Sequence, residues 1–534
     1  MKILLYKSLM ATALLAMSAC TGAYEDINSE PYTPDDLTPD DYALGSALNN
    51  IAGSVVSADV NKAQFTDCLL GGPLGGYFSP AKQAWNNSIQ TYDPTDDWTK
   101  VFMIDVPPTL YSNLTMIKNF CEVNATPVPE AIATIVKVAA MHRVTDTYGP
   151  IPYSAIENGG NLNTYYDPVE KIYDLFFKDL SDAVKVLNDN RGYALSPTAD
   201  FVYGGDVNKW IRFANSLKLR LAIRIAYAAP DKARAMAEDA VNPVNGGVIE
   251  TNADNAAWNY FSTSESPLYT AVNYNSNGST TGGDTHAAAD IICYMNGYKD
   301  PRRSAYFSES LWKDTDNKPV PFIGQRRGIR NPTYNTEWGF NFSGVKISAN
   351  DAIKWFNAAE TAFLRAEGIA IFGFDLGGTA EQFYNDGIRL SFEQYGASGA
   401  EEYLADNSSR PEAYVDPSGM NPWNGSLSTI TIKWDDNATK EEKQERIITQ
   451  KWIANWMIGN EAWADLRRTG YPRLMPVAYN GSGGILADDQ TPARMKYPEQ
   501  EYTNNASNIN YAVANYLNGP DNMATRIWWD CKDK

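Results

Sequence analysis

Apolar residues recur at three- and four-residue spacing over Trp98 to Phe120, Glu130 to Thr145 and Val169 to Leu187. That period predicts three long amphipathic helices. From Asp206 to Ala228 the pattern continues, with Trp210, Phe213, Leu217 and Leu221 on one stripe. Lys209, Arg212, Lys218 and Arg220 lie elsewhere around that helix, where they can pair with the chain's surplus carboxylates. Later, Phe356, Ala359, Phe363, Ala366 and Ala370 form a seam whose small residues let a neighbouring helix come close. Tyr384, Ile388, Phe392 and Tyr395 form the partner stripe, and the short glycine-bearing link from Gly373 to Thr379 predicts an antiparallel helix hairpin of tetratricopeptide type. No repeat of about 34 residues is sustained, so any solenoid is degenerate and shows only as successive helix pairs.

Between Gly246 and Asn350 the periodic pattern gives way to short runs broken by Asn, Gly, Ser, Thr and Pro, and the same happens from Ala397 to Asp436 and from Met475 to Asn510. Loops of this length in a compact protein are usually functional or disordered. The pattern therefore predicts a mainly α fold, a helical scaffold carrying a large irregular face.

The amino terminus reads differently. Lys2 and Lys7 precede a small and apolar run from Ser8 to Ala19, in the order of a secretory signal peptide. The apolar run is about a dozen residues, short of the roughly twenty that a membrane-spanning helix needs. Met17-Ser18-Ala19-Cys20 resembles the bacterial lipobox, although Met17 stands where leucine is commoner. The reading is a lipoprotein signal peptide over residues 1–19, cut before Cys20, with lipid carried on the Cys20 sulfur and holding the protein at a membrane. Thr21 to Asp41 is rich in Pro, Asp, Glu, Thr and Ser, so residues 20–41 read as the lipidated cysteine and an extended tether. Residues 42–534 show no internal boundary and read as a single domain.

Composition narrows the chemistry. A formal charge of −19 argues against nucleic-acid binding, which needs clustered Lys and Arg to replace counterions. Beyond Cys20, the cysteines Cys68, Cys121, Cys293 and Cys531 are widely separated, and either one or two disulfides or free buried thiols satisfy the count. His142 and His286 are the only histidines, too few for a multi-histidine metal site, and no cofactor motif stands out. A glycosidase needs only two carboxylates across a bond, and 64 acidic residues supply pairs without showing which converge. A surface glycan hydrolase therefore stays open as an alternative. Asp314-Thr315-Asp316-Asn317 starts like a calcium loop but lacks the later glycine and glutamate, so it reads as a polar turn. Gly71-Gly72-Pro73-Leu74-Gly75-Gly76 has no Lys-Ser/Thr ending and reads as a flexible turn presenting Tyr77 and Phe78.

Several segments together resemble the SusD/RagB-like outer-membrane lipoproteins of Bacteroidetes. The most specific is Arg143-Val144-Thr145-Asp146-Thr147-Tyr148-Gly149-Pro150-Ile151-Pro152-Tyr153. Lys209 to Arg220, Ala358 to Glu367, Glu461 to Pro472, Lys496 to Glu501 and Ile527 to Asp530 follow in the expected order. The resemblance implies a SusD-like fold with four degenerate tetratricopeptide-type helix pairs packed against an irregular, loop-rich half. It also implies a non-enzymatic cell-surface protein, anchored in the outer membrane, that captures oligosaccharides, or peptides in some branches, for a TonB-dependent SusC-like transporter. The shared motifs read as scaffold: Thr147 to Pro152 as a rigid loop leaving a helix, Trp463-Asp465-Arg467 as an ion-paired corner. Family members share no fixed ligand motif, so binding residues rest on chemistry.

A sugar ring offers an apolar C–H face and a rim of hydroxyls, which suits exposed aromatic planes flanked by Asn, Asp, Gln or Arg. Trp210, Trp355, Trp452 and Trp456 sit on helix-like stripes and read as core. The glycan-binding candidates lie in Gly/Asn-rich loops: Tyr77 and Phe78, Trp85 beside Asn86 and Asn87, Tyr274 between Asn273 and Asn275, and Trp338 near Arg330 and Asn335. Transporter contact favours the same residue types.

Overall fold

The long helices form where the apolar period is strongest, and local chemistry sets their ends. They span Val106–Asn124, Val128–Tyr148, Val169–Asp189, Val207–Arg224, Ala358–Phe372, Ala380–Gln394, Lys440–Ala454 and Gly459–Thr469. Asp206 caps its helix by accepting from the Asn208 and Lys209 amides, and Thr439 with Glu442 forms a capping box. The computed structural model describes residues 39–80, 87–156, 163–260, 264–276, 278–329, 339 and 341–533. Cys20, Trp85 and Trp338 lie outside the described residues, as does nearly all of the tether. A helix begins at Pro39, inside the stretch read as tether to Asp41.

The chain is mainly helical. The predicted hairpin is present: Gly373 ends the first helix with φ of 68°, Phe363 meets Tyr384 edge-on with ring centroids 6.0 Å apart, and Arg365 lies 3.8 Å over the Phe383 ring. A Cβ on Gly387 would stand 2.7 Å from Phe363, so the close helix approach uses glycine there. Two short antiparallel ribbons complete the frame. β1 (Phe78–Pro80) pairs with β3 (Thr285–Ala287), and β2 (Ala256–Trp258) pairs with β4 (Ile353–Phe356). A buried helix, Ala289–Gly297, follows β3 within the segment expected to be irregular. One cluster of buried apolar residues runs from Leu44 to Trp529.

The glycine run differs from expectation. Gly71 ends a π-helical segment and Gly72–Leu74 forms a short helix, all buried. A Cβ on Gly71 would meet Asn460 at 2.6 Å, and one on Gly459 would meet the Gly71 backbone at 2.4 Å. The run is a close contact with the Gly459–Thr469 helix, not a flexible turn. Asp314, by contrast, accepts from the Asp316 and Lys318 amides, as a polar turn should.

The segments that carry the family resemblance meet through buried polar contacts. Arg220 donates to Glu360 at 2.7 Å, and Arg468 to Glu367 at 2.7 and 2.8 Å. Trp529 Nε1 donates to Asp146 at 2.8 Å, and Tyr497 Oη to the Pro150 carbonyl at 2.6 Å. Asp465 pairs with Lys451 and Arg468, while Arg467 stacks 3.6 Å over Trp463 and donates to the Asp146 and Ala493 carbonyls. Asp465 is thus ion-paired at this corner as expected, whereas Arg467 is held by a ring and two carbonyls, and partners come from three other segments, at Lys451, Asp146 and Ala493.

Candidate functional site

The loop-borne aromatic candidates divide by where β1 puts them. Tyr77 is fully buried, its hydroxyl donating to the Trp452 carbonyl at 2.5 Å and its ring stacked on Trp452 at 5.6 Å. Phe78 is buried edge-on against Trp456. Both belong to the core. The glycines before them pack against a helix, so the chain turns inward where a flexible surface turn was expected.

Tyr274 is exposed, at 51%. Its carbonyl accepts from the Asp284 amide at 2.8 Å, and Asn275 Nδ2 donates to the Asp284 carboxylate at 2.8 Å. A Cβ on Gly283 would lie 2.1 Å from the Tyr274 carbonyl oxygen, so this close approach requires glycine. Asp284 leads into β3, where Thr285 pairs with Pro80, the last described residue before the segment containing Trp85.

The chain before the segment containing Trp338 comes to the same ribbon. Gln325 exchanges backbone hydrogen bonds with Ala287 and Ala289, and Ser79 Oγ donates to the Arg326 carbonyl at 3.2 Å. Gln90 joins both, donating to the Pro80 carbonyl at 3.1 Å and accepting from the Gly328 amide at 3.2 Å. Arg326 then gathers two more loops by donating to the carbonyls of Pro422 at 2.8 Å and Pro476 at 3.0 Å. Arg327, ion-paired with Asp290 at 2.8 Å, donates to the Met475 carbonyl at 2.7 Å. These loops place Met420 and Tyr479 on the surface nearby, the latter through the hydrogen bond its amide donates to the Gly328 carbonyl at 3.0 Å. Tyr479 stands beside Asn480 and Gly481, the same kind of loop sequence that surrounds Tyr274.

The two histidines are buried inside the protein. Burial, with Arg220 nearby, pushes His142 down to about 3, and burial pushes His286 down to about 4. Both are neutral near pH 7. Among the described residues no group of three His, Cys, Asp or Glu side chains could hold a metal, and no helix is long and apolar enough to cross a membrane. Cys68, Cys121 and Cys293 are free and buried; Cys531 is free and exposed.

The family model described as SusD-like, Susd and RagB outer membrane lipoprotein, matches residues 26–530. The chain belongs to that family. Among solved structures, a SusD homolog from Bacteroides uniformis is 57% identical, covers 92% of this chain and 100% of its own, and superposes with a TM-score of 0.89. A SusD homolog from Bacteroides thetaiotaomicron is 37% identical over 92% of this chain and 99% of its own, with a TM-score of 0.83. A chitin-binding SusD homolog from Flavobacterium johnsoniae is 33% identical, with the same coverage and a TM-score of 0.82. No curated protein matches the chain. SusD-like proteins are binding proteins and not enzymes.

Proposed function

We propose that this SusD-like chain is a cell-surface lipoprotein that binds oligosaccharides and passes them to a TonB-dependent SusC-like transporter of the outer membrane. The observation that carries the ligand class is the exposed ring of Tyr274, held beside the Asn275–Asp284 pair on the β1–β3 ribbon. An aromatic plane next to a polar rim suits a sugar's C–H face and hydroxyls. Trp85 and Trp338 stay candidates for the same face, since the described chain before each of them is tied to that ribbon. The chitin-binding relative supports a glycan ligand.

In this reading residues 1–19 are removed as a signal peptide, residues 20–41 comprise the lipid-bearing Cys20 and its tether, and residues 42–534 form one binding domain. Titration calorimetry against a panel of oligosaccharides tests the ligand. Binding to at least one is expected, and binding to peptides with none to glycans would overturn the glycan assignment. Co-purification with a large outer-membrane barrel protein tests the partner. A Cys20→Ala chain should keep its affinity in solution and lose retention at the membrane.

A further inference from the structure

A cavity of about 400 Å³ lies among the Val128–Tyr148 helix, the Gly459–Thr469 helix and β4, within the size range of small-molecule sites. Lys346 and Asp351, exposed on the wall, put its mouth at the loop before β4. The arginines deeper in the wall already have partners. Arg143 donates to Asp67 at 2.6 Å and Arg220 to Glu360 at 2.7 Å, while Arg467 is taken up by the Ala493 carbonyl and the Trp463 ring.

Lys354 departs from that pattern. Its Nζ donates to the Tyr395 hydroxyl at 2.9 Å and lies 4.6 Å over the same ring, and both residues line the cavity. Burial raises the Tyr395 phenol and keeps it neutral, so it balances no charge. Among the described residues no carboxylate forms an ion pair with Lys354. Burial pulls its ammonium down to about 8, and the field of Asp351 only partly opposes this. Ile353, Trp355 and Phe356 on the same strand are buried, whereas Lys354 keeps part of its surface accessible.

Lys346 adds a second ammonium at the mouth, donating to the Ser304 carbonyl at 3.0 Å. Among the described residues, the mouth thus sets the ammonium groups of Lys346 and Lys354 against the single carboxylate of Asp351, in a chain whose formal charge is −19. A partly desolvated ammonium without a counter-charge is unfavourable, and an anion brought against it relieves that cost. One surplus positive charge matches a monoanion. Leu268, Ile347 and Phe356 give the cavity apolar wall suited to carbon, so an organic carboxylate fits better than a phosphate, whose oxygens would all need donors.

We propose that this cavity is a ligand site for a small organic monocarboxylate, whose carboxylate accepts from the Lys354 ammonium while its carbon body lies against the apolar wall. Trp456 lines the cavity and packs on Tyr77, Phe78, Tyr306 and Phe307. Aromatic core thus stands between the cavity and the β1–β3 ribbon, and the site does not depend on the surface face binding glycan.

The test uses the full mature chain with phenylacetate and D-glucuronate, each beside its neutral counterpart, phenylacetamide and D-glucose. Calorimetry is paired with crystals soaked in each at about 10 mM, ten times a Kd of about 1 mM. At least one carboxylate is expected to bind once per chain against Lys354, about tenfold or more tighter than its neutral counterpart. The two probes tell an apolar body from a hydroxylated one. Lys354→Met should weaken the binding about tenfold or more, and Tyr274→Ala should leave it intact. If Lys354→Met fails to fold, Lys346→Met at the exposed mouth gives the reading, with a loss of about threefold. Cavities that hold no carboxylate after every soak overturn the proposal. So does an acid that binds no tighter than its neutral counterpart, or an affinity that the lysine variant leaves unchanged. Oligosaccharide affinity measured on the same variants reads the surface face separately.

Discussion

Arg224 Nη2 donates to both carboxylate oxygens of Glu461, at 2.6 Å each, across 237 positions of sequence. Its Nη1 reaches Asp146 at 2.5 Å, and its guanidinium lies 5.2 Å over the Trp529 ring. One buried cation therefore joins four remote segments. Desolvation offsets much of the Coulomb gain of such a cluster, so its main effect is to make one packing arrangement the only one without an unpaired charge.

Arg224→Met should therefore destabilise the protein by about 3–5 kcal/mol, because it leaves buried carboxylates uncompensated. The double variant Arg224→Met, Glu461→Met should recover part of that loss. Urea unfolding measures both, and a single variant within about 0.5 kcal/mol of the parent would show that the pair is not a structural tie.

Acid should weaken the fold in two stages. Burial pushes His142 down from 6.5 to about 3 and His286 down to about 4. Below pH 6.5 the unfolded chain takes up protons that the folded chain refuses, so stability falls as pH drops. Glu461 adds a later loss: although burial raises it, Arg224, Arg220 and Lys451 hold it well below 4.5. Its contribution is complete above that value and fades as pH falls through the folded-state value. Replacing both histidines by Gln should flatten the decline between pH 6.5 and about 5 in urea titrations, and a slope equal to the parent's would contradict it.

Two tyrosines from the same shortlist should behave oppositely. Tyr77→Ala removes a ring packed on Trp452 and Trp456 and should cost about 3–5 kcal/mol of stability. Tyr274→Ala should change stability by less than about 0.5 kcal/mol and weaken oligosaccharide binding about tenfold. Unchanged affinity in a folded Tyr274→Ala protein would move the ligand face elsewhere.

Thiol labelling gives a further check. In a soluble chain beginning after Cys20, Cys531 should react quickly with a disulfide reagent, and Cys68, Cys121 and Cys293 only after unfolding. Burial raises the Cys121 thiol to about 11 and raises those of Cys68 and Cys293 as well. Four thiols titrating in denaturant and one in buffer is the expected pattern.

By itself the sequence determined most of the long helices, because a 3.6-residue apolar period such as that of Val169 to Leu187 is a local property, although the stretch from Trp98 to Phe120, expected as one helix, is broken into Asp96–Thr99, Val101–Ile104 and Val106–Asn124. It also determined the family, through segments whose Asp146, Arg220, Glu360, Glu367 and Glu461 are locked together inside. Only the tertiary structure decided which aromatics face outward. Tyr77 and Tyr274 both follow or flank small residues, but the first meets Trp452 from 375 positions away and the second meets solvent. Burial and polar satisfaction are set by which remote surfaces meet, and no local pattern encodes that meeting.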